Sequence, residues 1–481
     1  MRRKSGVLMH VSSLYGDYSI GGFGRAAKEF IDFLCDCRFS YWQVLPFNIP
    51  DMYNSPYQSV SAFAGNPFFM DPLKFYEEGF VTKEKLNAQL QITPYTVEYD
   101  RLRKNRLPFL FEIFKAHADC SEIERFLNDN PQIKDFCDFM GRKKANSNLP
   151  WRAFDENDVD YEEYLFWGFL QKRFYSDWIE IKWYANERGI RIIGDMPIYV
   201  SYESADVWKN PELFLLDENN VPLCVAGVPP DYFCEDGQLW GNPLYNWNKM
   251  KENDYAWWVD RIKFMSVYFD QIRIDHFRGL SSFYATPFGA ENAKAGKWMK
   301  GPGESLISKM NCICDKSFYI AEDLGELDEE VKDLLDYSGY KGIRVLQFGF
   351  LSDEDNIHLP HNYNKNIVSY TGTHDNNTLL GYIWELDDKR RKHLFSYCGY
   401  QGDDLTIGFD SIIRTLFQSH ADTVILPIQD LLQFGSDTRM NTPGTLKGNW
   451  MYRITKEQLM QIDREKYKSL NRIYRREGNH T

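Results

Sequence analysis

The chain has 481 residues, of which 43% are hydrophobic and 26% are charged, so it can bury a substantial core and is not a disordered protein. Its formal net charge of -13 disfavours binding to nucleic-acid phosphates or to an anionic membrane. No apolar run is long enough to cross a bilayer, and the N-terminus lacks a signal-peptide pattern. We therefore predict a cytoplasmic protein with neither nucleic acid nor membrane as a partner.

Short β-branched or aromatic runs that end in polar residues recur along the chain and predict eight β-strands. In chain order they cover 6–14, 41–47, 191–200, 269–277, 318–324, 342–350, 366–375 and 423–431. Helical patterns between them lie at 26–34, 164–178 and 329–339. Strands that alternate with helices indicate a parallel sheet, and eight such units predict an α/β fold of the closed (β/α)₈ barrel type.

Two long intervals interrupt the alternation, and they predict insertions into a single catalytic barrel that spans 1–481. The first, 50–160, follows the second strand and has a mostly helical pattern. The second, 201–260, follows the third strand and is rich in turn residues. Because barrel enzymes carry their active sites at the carboxyl ends of the strands, we expect both insertions to wall a cleft. The end of the chain, 455–481, has the pattern of one amphipathic helix.

Four predicted strands carry an acidic residue at or near their ends, and in a closed barrel such residues converge on one mouth. They are Asp195, Asp275, Glu322 and Asp375. Alternation along QIRIDHFR places Arg273 on the face of Asp275, where a guanidinium favours an ionised carboxylate and suits a nucleophile. Glu322 has no basic residue within several positions, so partial burial would raise its pKa and suit a general acid. Two carboxyl groups in contrasting environments are typical of glycosidic-bond chemistry.

Histidines adjoin two of these carboxylates, since His276 follows Asp275 and His374 precedes Asp375. A catalytic metal is therefore an alternative, but no H-E-x-x-H or similar close ligand set is present. We expect no metal and no cofactor, and we expect the histidines either to donate to substrate hydroxyls or to pack structurally. The C-x-C pair that begins at Cys35 lies in a helical pattern, and its thiols are predicted to be buried and reduced.

Aromatic residues make up 16% of the chain, and some lie in segments rich in turn residues. They are Tyr53, Tyr57, Tyr232, Phe233 and Trp240. Aromatic rings beside Asn, Gln and Asp suit sugars, because the ring stacks on C–H faces while the polar groups bind hydroxyls. The alternative is that these rings anchor their loops to the core.

Ordered sequence motifs run along nearly the whole chain. They include SGVLMHVSSL, NSPYQSVSAFAGNP, ANERGIRIIGDMPIYV, VAGVPPDYF, GQLWGNPLYNW, IRIDHFRG, AEDLG, TGTHDNNT and NTPGT. This set resembles the 4-α-glucanotransferases called amylomaltases or disproportionating enzymes, family 77 of the glycoside hydrolases. The resemblance implies a (β/α)₈ barrel of the α-amylase clan. It also implies transfer of α-1,4-glucan segments to the 4-hydroxyl of an acceptor glucan or glucose, through a covalent glucosyl-enzyme and with retention.

Position by position, the resemblance implies a role for each matched residue. Asp275 matches the catalytic nucleophile, Glu322 the general acid/base, and Asp375 the carboxylate that holds sugar hydroxyls as the ring distorts. Other matched residues are implied to bind substrate on the donor or acceptor side. They are Ser55, Tyr57, Asp195, Asp231, Gln238, Trp240, Arg273, His276, His374, Asn441 and Pro443.

Three alternatives remain open at this point. An α-amylase-like hydrolase would use the same carboxylates, whereas a glucan-binding protein with a degenerate site would not need an arginine beside its nucleophile. A metal-dependent barrel enzyme would lose its activity to a chelator. With the transferase interpretation we expect α-1,4-glucans and maltooligosaccharides as donors and acceptors, in glycogen, starch or maltodextrin metabolism. The sequence makes no prediction of the oligomeric state.

Overall fold

The computed structural model describes residues 3–230, 235–325, 327–352 and 354–478. Its β-strands, in chain order, are β1 (Lys4–Leu8), β2 (Tyr41–Gln43), β3 (Arg191–Met196), β4 (Cys224–Val228), β5 (Gln238–Pro243), β6 (Gln271–Ile274), β7 (Ser282–Pro287), β8 (Lys297–Lys300), β9 (Tyr319–Ala321), β10 (Lys341–Val345), β11 (Ile367–Tyr370) and β12 (Thr423–Pro427).

Eight of these strands close into a parallel barrel in the order β1-β12-β11-β10-β9-β6-β3-β2. Each of the eight predicted runs overlaps one barrel strand, so the prediction of a (β/α)₈ barrel is confirmed. The strands are shorter than the runs, because each run continues into the loop that leaves the barrel at its carboxyl end. Neighbouring residues such as Ile192 and Ile193 are both fully buried, as expected when helices cover the outside and side chains fill the inside.

Helices surround the barrel and wall its carboxyl face. Their bounds are Arg25–Asp36, Pro72–Glu77, Lys83–Asn87, Tyr99–Arg101, Leu107–His117, Cys120–Asp129, Pro131–Ala145, Tyr161–Glu187, Ala205–Lys209, Trp247–Glu252, Ala256–Tyr268, Glu304–Ile313, Glu329–Ser338, Leu346–Gly349, Leu379–Glu385, Asp388–Tyr397, Leu405–Gln418, Ile428–Leu431, Lys456–Gln461 and Arg464–Ile473. The three predicted helical patterns are confirmed by the first, eighth and thirteenth of these helices. Within the described ranges, no helix is long and apolar enough to span a bilayer.

The interval between β2 and β3 is mainly helical and ends in a helix of 27 residues, Tyr161–Glu187. The Asp160 side chain accepts a hydrogen bond from the Glu163 amide at 3.0 Å and so caps the start of this helix. Pro131–Ala145 packs along it. The helix Cys120–Asp129 packs closely against it at Gly168, where a Cβ atom would lie 2.6 Å from Ile123 Cγ2.

The interval between β3 and β6 contributes β4 and β5 to an antiparallel sheet with the order β5-β4-β7-β8. The other two strands follow β6, so the sheet joins segments on both sides of a barrel strand. The sequence prediction of a loop-rich segment did not contain this sheet, because its short strands pair with residues distant in the chain. The division of the chain into one barrel with two subdomains stays a prediction.

The end of the chain forms two helices rather than the single amphipathic helix that the pattern predicted. Thr455 and Gln458 form a capping box at the first helix, and the Asp463 side chain caps the second by accepting from the Lys466 amide. Because Asp463 is a second N-cap residue within the apolar pattern, the pattern is divided into two helices. Beyond them, Arg476 is fully buried and donates to the carbonyl oxygens of nearby loop residues, which ties the chain end to the barrel.

Candidate active site

An open cavity of about 1050 Å³ lies where the carboxyl ends of β6, β9 and β11 meet. Most of the predicted site residues line it: Ser55, Tyr57, Gln238, Trp240, Arg273, Asp275, His276, Glu322, His374, Asp375, Asn441 and Pro443. Asp195 is buried in contact with Arg273 and Tyr57. Asp231 lies outside the described residues, together with Tyr232 and Phe233. The barrel thus brings together side chains that are far apart in the sequence.

Arg273 connects two carboxylates at the centre of this cavity. Its Nη1 lies 2.9 Å from Asp275 Oδ1 and 2.9 Å from Asp195 Oδ1. The pairing of β3 with β6 places Asp195 opposite Arg273, while the alternation along β6 places Asp275 on the same face as Arg273. Burial opposes the charge on Arg273, but the two carboxylates raise its pKa well above the usual value. The guanidinium therefore stays charged beside Asp275.

Three hydrogen bonds hold Glu322 to the end of β6 and to the residues that follow it. Its amide donates to the Ile274 carbonyl at 3.0 Å, and its own carbonyl accepts from the Phe277 amide at 3.1 Å. Its side-chain Oε2 accepts from the amide of His276 at 2.7 Å. The segment that carries Asp275 thus also positions the carboxyl group of Glu322, which makes the two groups neighbours.

Burial raises the pKa of Glu322 from 4.5 to about 8. The predicted direction is confirmed, but the surroundings differ from those that the local sequence suggested. Arg273, on the adjacent strand, acts on Glu322 and favours its ionised form, while Asp275 disfavours it. Burial is the largest effect, so Glu322 remains a carboxyl group that holds its proton near neutral pH.

Asp375 is oriented by side chains from the last barrel loop. Asn441 Nδ2 donates to Asp375 Oδ1 at 2.7 Å, and Arg439 Nη2 donates to the Asp375 carbonyl at 3.2 Å. The other carboxylate oxygen lies 3.4 Å from His374 Nε2. Asp375 lines the cavity in this arrangement.

Tyr57 connects the first insertion to the barrel. Its hydroxyl donates to Asp195 Oδ2 at 2.9 Å and lies 3.0 Å from His374 Nε2. Its ring stacks on the imidazole of His374, with the ring centres 5.5 Å apart. The NSPY loop therefore contacts Asp195, which is buried beneath the cavity, and the loop that carries Asp375.

His276 is neutral, because burial lowers the pKa of its imidazole to about 4. Its ring stands edge-on to Trp240, with the ring centres 4.8 Å apart. The imidazole packs on Trp240 and also lines the cavity, and its donation to a substrate hydroxyl stays a prediction. Trp240 Nε1 donates to Gln238 Oε1 at 3.1 Å, which orders the indole at the edge of the cleft.

Seven further residues line the cavity without having been predicted as site residues: Gln58, Pro197, Ile198, Tyr199, Asn242, Gly444 and Trp450. Trp450 follows the NTPGT motif in the chain, and the centre of its ring lies 5.6 Å from that of Tyr57. Asn242 Nδ2 donates to Gln58 Oε1 at 3.1 Å, which joins the two insertions. Trp450 follows NTPGT closely enough for that motif to have indicated it, whereas the pairing of Gln58 with Asn242 has no signal in the sequence.

Among the residues that the structure describes, no three His, Cys, Asp or Glu side chains are grouped as metal ligands would be. Both thiols of the Cys35 pair are free, and Cys37 is buried as the helical pattern predicted, whereas Cys35 is only half-buried. Burial raises the pKa of both thiols, to about 11 for Cys35 and about 12 for Cys37.

Comparison with known proteins agrees with this geometry. The model of the family described as 4-alpha-glucanotransferase, glycoside hydrolase family 77, matches residues 9–459. The chain is 39% identical to the 4-alpha-glucanotransferase of Streptococcus pneumoniae, over 99% of this chain and 98% of that protein. It is 39% identical to the 4-alpha-glucanotransferase of Aquifex aeolicus, over 99% of this chain and 100% of that protein.

A solved structure is similar over the same length. The amylomaltase from Streptococcus agalactiae, in complex with acarbose, superposes with a TM-score of 0.94 at 37% identity. The match covers 99% of this chain and 100% of that one. The agreement therefore includes the insertions as well as the barrel.

Proposed function

The chain belongs to the 4-alpha-glucanotransferase family, glycoside hydrolase family 77, and from this premise we propose how its cavity transfers glucans. Its activity is that of a 4-α-glucanotransferase, and an α-amylase-like hydrolase is not favoured. We propose α-1,4-glucans and maltooligosaccharides as both donors and acceptors. Acarbose in the similar amylomaltase supports this substrate class, as do the aromatic walls and hydrogen-bonding groups of the cavity.

The first step of the proposed reaction breaks the glycosidic bond. Asp275 attacks the anomeric carbon with the oxygen that Arg273 does not hold, while Glu322 gives its proton to the leaving glycosidic oxygen. The bond between the anomeric carbon and that oxygen breaks, and a covalent glucosyl-enzyme forms on Asp275. The raised pKa of Glu322 supports this assignment, because the group must enter the step protonated.

The second step transfers the glucosyl group to an acceptor. The 4-hydroxyl of another glucan attacks the anomeric carbon, Glu322 takes its proton, and the carboxylate of Asp275 leaves. Two displacements at one carbon retain its configuration. After the first step Glu322 is ionised, and its high proton affinity then makes it an effective base for the hydroxyl.

Asp375 stabilises the positive charge that develops on the sugar ring and binds its hydroxyls as the ring distorts. The hydrogen bond from Asn441 and the nearby imidazole of His374 hold its carboxylate in place before substrate binds. A group that is oriented in advance needs no reorganisation as charge appears, and this is where its electrostatic effect is largest.

Transfer instead of hydrolysis requires that an acceptor sugar reach the glucosyl-enzyme before water does. Trp240 and Trp450 lie on the walls of the cavity and offer surfaces on which an acceptor ring can stack. An acceptor held there displaces water and brings its hydroxyl to the anomeric carbon.

Cytoplasmic location stays a prediction, since the relatives include bacterial proteins and a chloroplastic or amyloplastic protein from Arabidopsis thaliana.

The observation that carries the mechanism is the position of a carboxyl group with a raised pKa, Glu322, beside the arginine-bound carboxylate of Asp275. The test is incubation of the purified protein with maltotriose alone, with product lengths and total reducing ends followed together. We expect longer and shorter glucans at a constant number of reducing ends. Shorter products alone with rising reducing ends would show a hydrolase. The Glu322→Gln protein is the matched control and should form neither product series.

A further inference from the structure

Trp240 lies on an irregular part of an edge strand. β5 is the first strand in the order β5-β4-β7-β8 and pairs with β4. The two strands pair at Leu239 and again at Pro243, and the three residues of β5 between these positions, 240–242, stand opposite one residue of β4. Gly241 has a φ of 78°, in the left-handed region that favours glycine. Bulges of this kind re-aim side chains beside active sites, but the paired residues on either side do not by themselves fix the bulge.

A pair of side-chain amides holds this bulge. Gln58 Nε2 donates to Asn242 Oδ1 at 2.9 Å, and Asn242 Nδ2 donates back to Gln58 Oε1 at 3.1 Å. Gln58 Nε2 also donates to the Trp240 carbonyl at 3.0 Å, and Asn242 Nδ2 also donates to the Val200 carbonyl at 2.9 Å. All four N–H groups of the two amides therefore have an acceptor, and reversal of either amide would place oxygen against oxygen.

Both members of the pair are fixed to the barrel. Asn242 is 4% exposed, and Val200, to which it donates, comes shortly after the carboxyl end of β3. Gln58 follows Tyr57, whose hydroxyl donates to the buried Asp195 Oδ2 at 2.9 Å. Because each amide is anchored at the carboxyl face of the barrel, the pair gives the bulge a defined position relative to the reacting carboxylates.

The indole on this bulge is close to those carboxylates. The ring of Trp240 is centred 4.8 Å from that of His276, the residue after Asp275, and all three residues line the catalytic cavity. In the proposed reaction the bond is broken by Asp275 and Glu322, whereas the indole is a surface for the acceptor sugar. A water molecule that attacks the glucosyl-enzyme needs no such surface. A displaced bulge would therefore impair transfer more than hydrolysis.

We propose that Gln58 and Asn242 are positioning residues that set the reaction specificity. By holding the bulge they keep Trp240 in place for an acceptor glucan, and so they favour transfer of the glucosyl group over its hydrolysis. This inference rests on the proposed function, in which the indole is an acceptor surface. A misplacement of about 1 Å can cost about a hundredfold in rate, so a small shift of the bulge is enough to slow the attack of an acceptor hydroxyl.

The first test is Asn242→Ala, which removes the buried member of the pair and leaves Gln58 in the cavity wall. Each protein is incubated with the same concentration of maltotriose, and the amount of longer glucans formed is divided by the number of reducing ends gained. We expect this ratio of transfer to hydrolysis to fall at least about tenfold, since the acceptor loses its orientation while water does not. An unchanged ratio would overturn the proposal.

The matched control is Asn471→Ala, at a fully buried asparagine that also joins two segments. Asn471 Nδ2 donates to the Cys37 carbonyl at 2.9 Å, and its Oδ1 accepts from the hydroxyl of Ser5, near the amino end of β1. This substitution removes comparable hydrogen bonds at the opposite end of the barrel. We expect both variants to be less stable in urea, and only Asn242→Ala to have a lower ratio. An equal fall in the control would show a general effect of destabilisation and would contradict the proposal.

Coupling to the indole tests how the pair acts. Trp240→Ala should itself lower the ratio, and the addition of Asn242→Ala should lower it no further. Gln58→Leu removes the other amide, serves if Asn242→Ala does not fold, and should likewise have no further effect on Trp240→Ala. If the effects multiply, the amides do not act through Trp240 and the proposal is wrong. A parent enzyme that forms only shorter products with rising reducing ends would contradict the proposed function instead, so the two failures are distinguishable.

Discussion

The backbone amide of His276 donates a hydrogen bond to Glu322 Oε2, with 2.7 Å between the two atoms. The amide has this direction because His276 adopts the left-handed conformation, with φ 53° and ψ 51°. Residues other than glycine rarely adopt this conformation, and it costs roughly 1–2 kcal/mol. Since Oε2 is occupied as an acceptor, the proposed mechanism places the acid proton of Glu322 on Oε1, the oxygen left for the glycosidic bond.

Substitutions at His276 separate this backbone effect from the imidazole. His276→Gly, His276→Asn and His276→Val all remove the ring, but only valine strongly resists the left-handed conformation. We expect the Gly and Asn proteins to have similar kcat values and the Val protein a kcat at least about tenfold lower, in line with the 10²–10⁴-fold contribution of a positioned general acid. Equal kcat values in all three proteins would show that the backbone bond has no catalytic effect.

The same series has a second readout in its pH profile. The hydrogen bond from His276 favours the ionised form of Glu322 and so lowers its pKa. If valine weakens that bond, the pKa of Glu322 rises further, and the alkaline limb of kcat moves to higher pH than in the Gly protein. A purely structural defect would lower the rate without moving the limb, so the measurement is kcat against pH for both variants.

The activity itself should fall in alkaline solution. In the proposed mechanism Glu322 must be protonated when the first step begins, and burial raises its pKa to about 8. We therefore expect kcat/KM on maltotriose to decline as the pH rises through about 8, to one tenth per further unit. The residual rate of Glu322→Gln should lack this limb, because the amide does not titrate. A wild-type limb near pH 5 would contradict the assignment.

Stability should respond to the same group. Its pKa is about 8 in the folded protein against 4.5 for the ordinary glutamate, so folding favours the protonated form. Stability is then fully present below the unfolded pKa and is lost as the pH rises toward the folded one. We expect the free energy of unfolding of Glu322→Gln, relative to the wild type, to increase from pH 4.5 to 8 and to be level above that. Urea unfolding at several pH values measures it.

The two reacting carboxylates should be indispensable. Asp275→Asn removes the nucleophile, and Glu322→Gln removes the proton donor, so each should reduce turnover of maltotriose at least about a hundredfold. Both residues line an open cavity, and we expect the substituted proteins to keep their circular dichroism spectra. The control is Glu330→Gln, at an exposed glutamate outside the cavity. Near wild-type turnover in either site variant would show that its role is misassigned.

Arg273 is expected to contribute to stability as well as to activity. It neutralises Asp195, whose side chain is completely buried, and Arg273→Met would leave that carboxylate without a cation. We expect a loss of about 3–5 kcal/mol in the free energy of unfolding. Adding Asp195→Asn should recover most of this loss but not the activity, because Asp275 would still lack its arginine. Chemical denaturation of the single and double variants tests the stability, and maltotriose assays test the activity. A double variant as unstable as Arg273→Met would contradict this explanation.

The barrel was predictable because its signals are local. Runs such as RIIGDM and the apolar face of Arg25–Asp36 have the composition of buried strands and of helices that cover them. A parallel barrel then directs all carboxyl ends to one side, so acidic residues at the strand ends converge whatever the loops do. For this reason Asp275, Glu322 and Asp375 could be placed in one cavity from the sequence, and their motifs resembled the family to which the chain belongs.

The remaining features depend on contacts between distant parts of the chain. Arg273 acts on Glu322 because β6 and β9 are adjacent, although the residues around Glu322 contain no cation. The amide of His276 donates to Glu322 Oε2 across that same pair of strands. The pairing of β4 with β5 and β7 joins segments on both sides of β6. The sequence by itself determined the periodicities and the residue types at the strand ends. Only the tertiary structure decided which side chains meet, because strand neighbours and loop closure bring together residues that no local pattern connects.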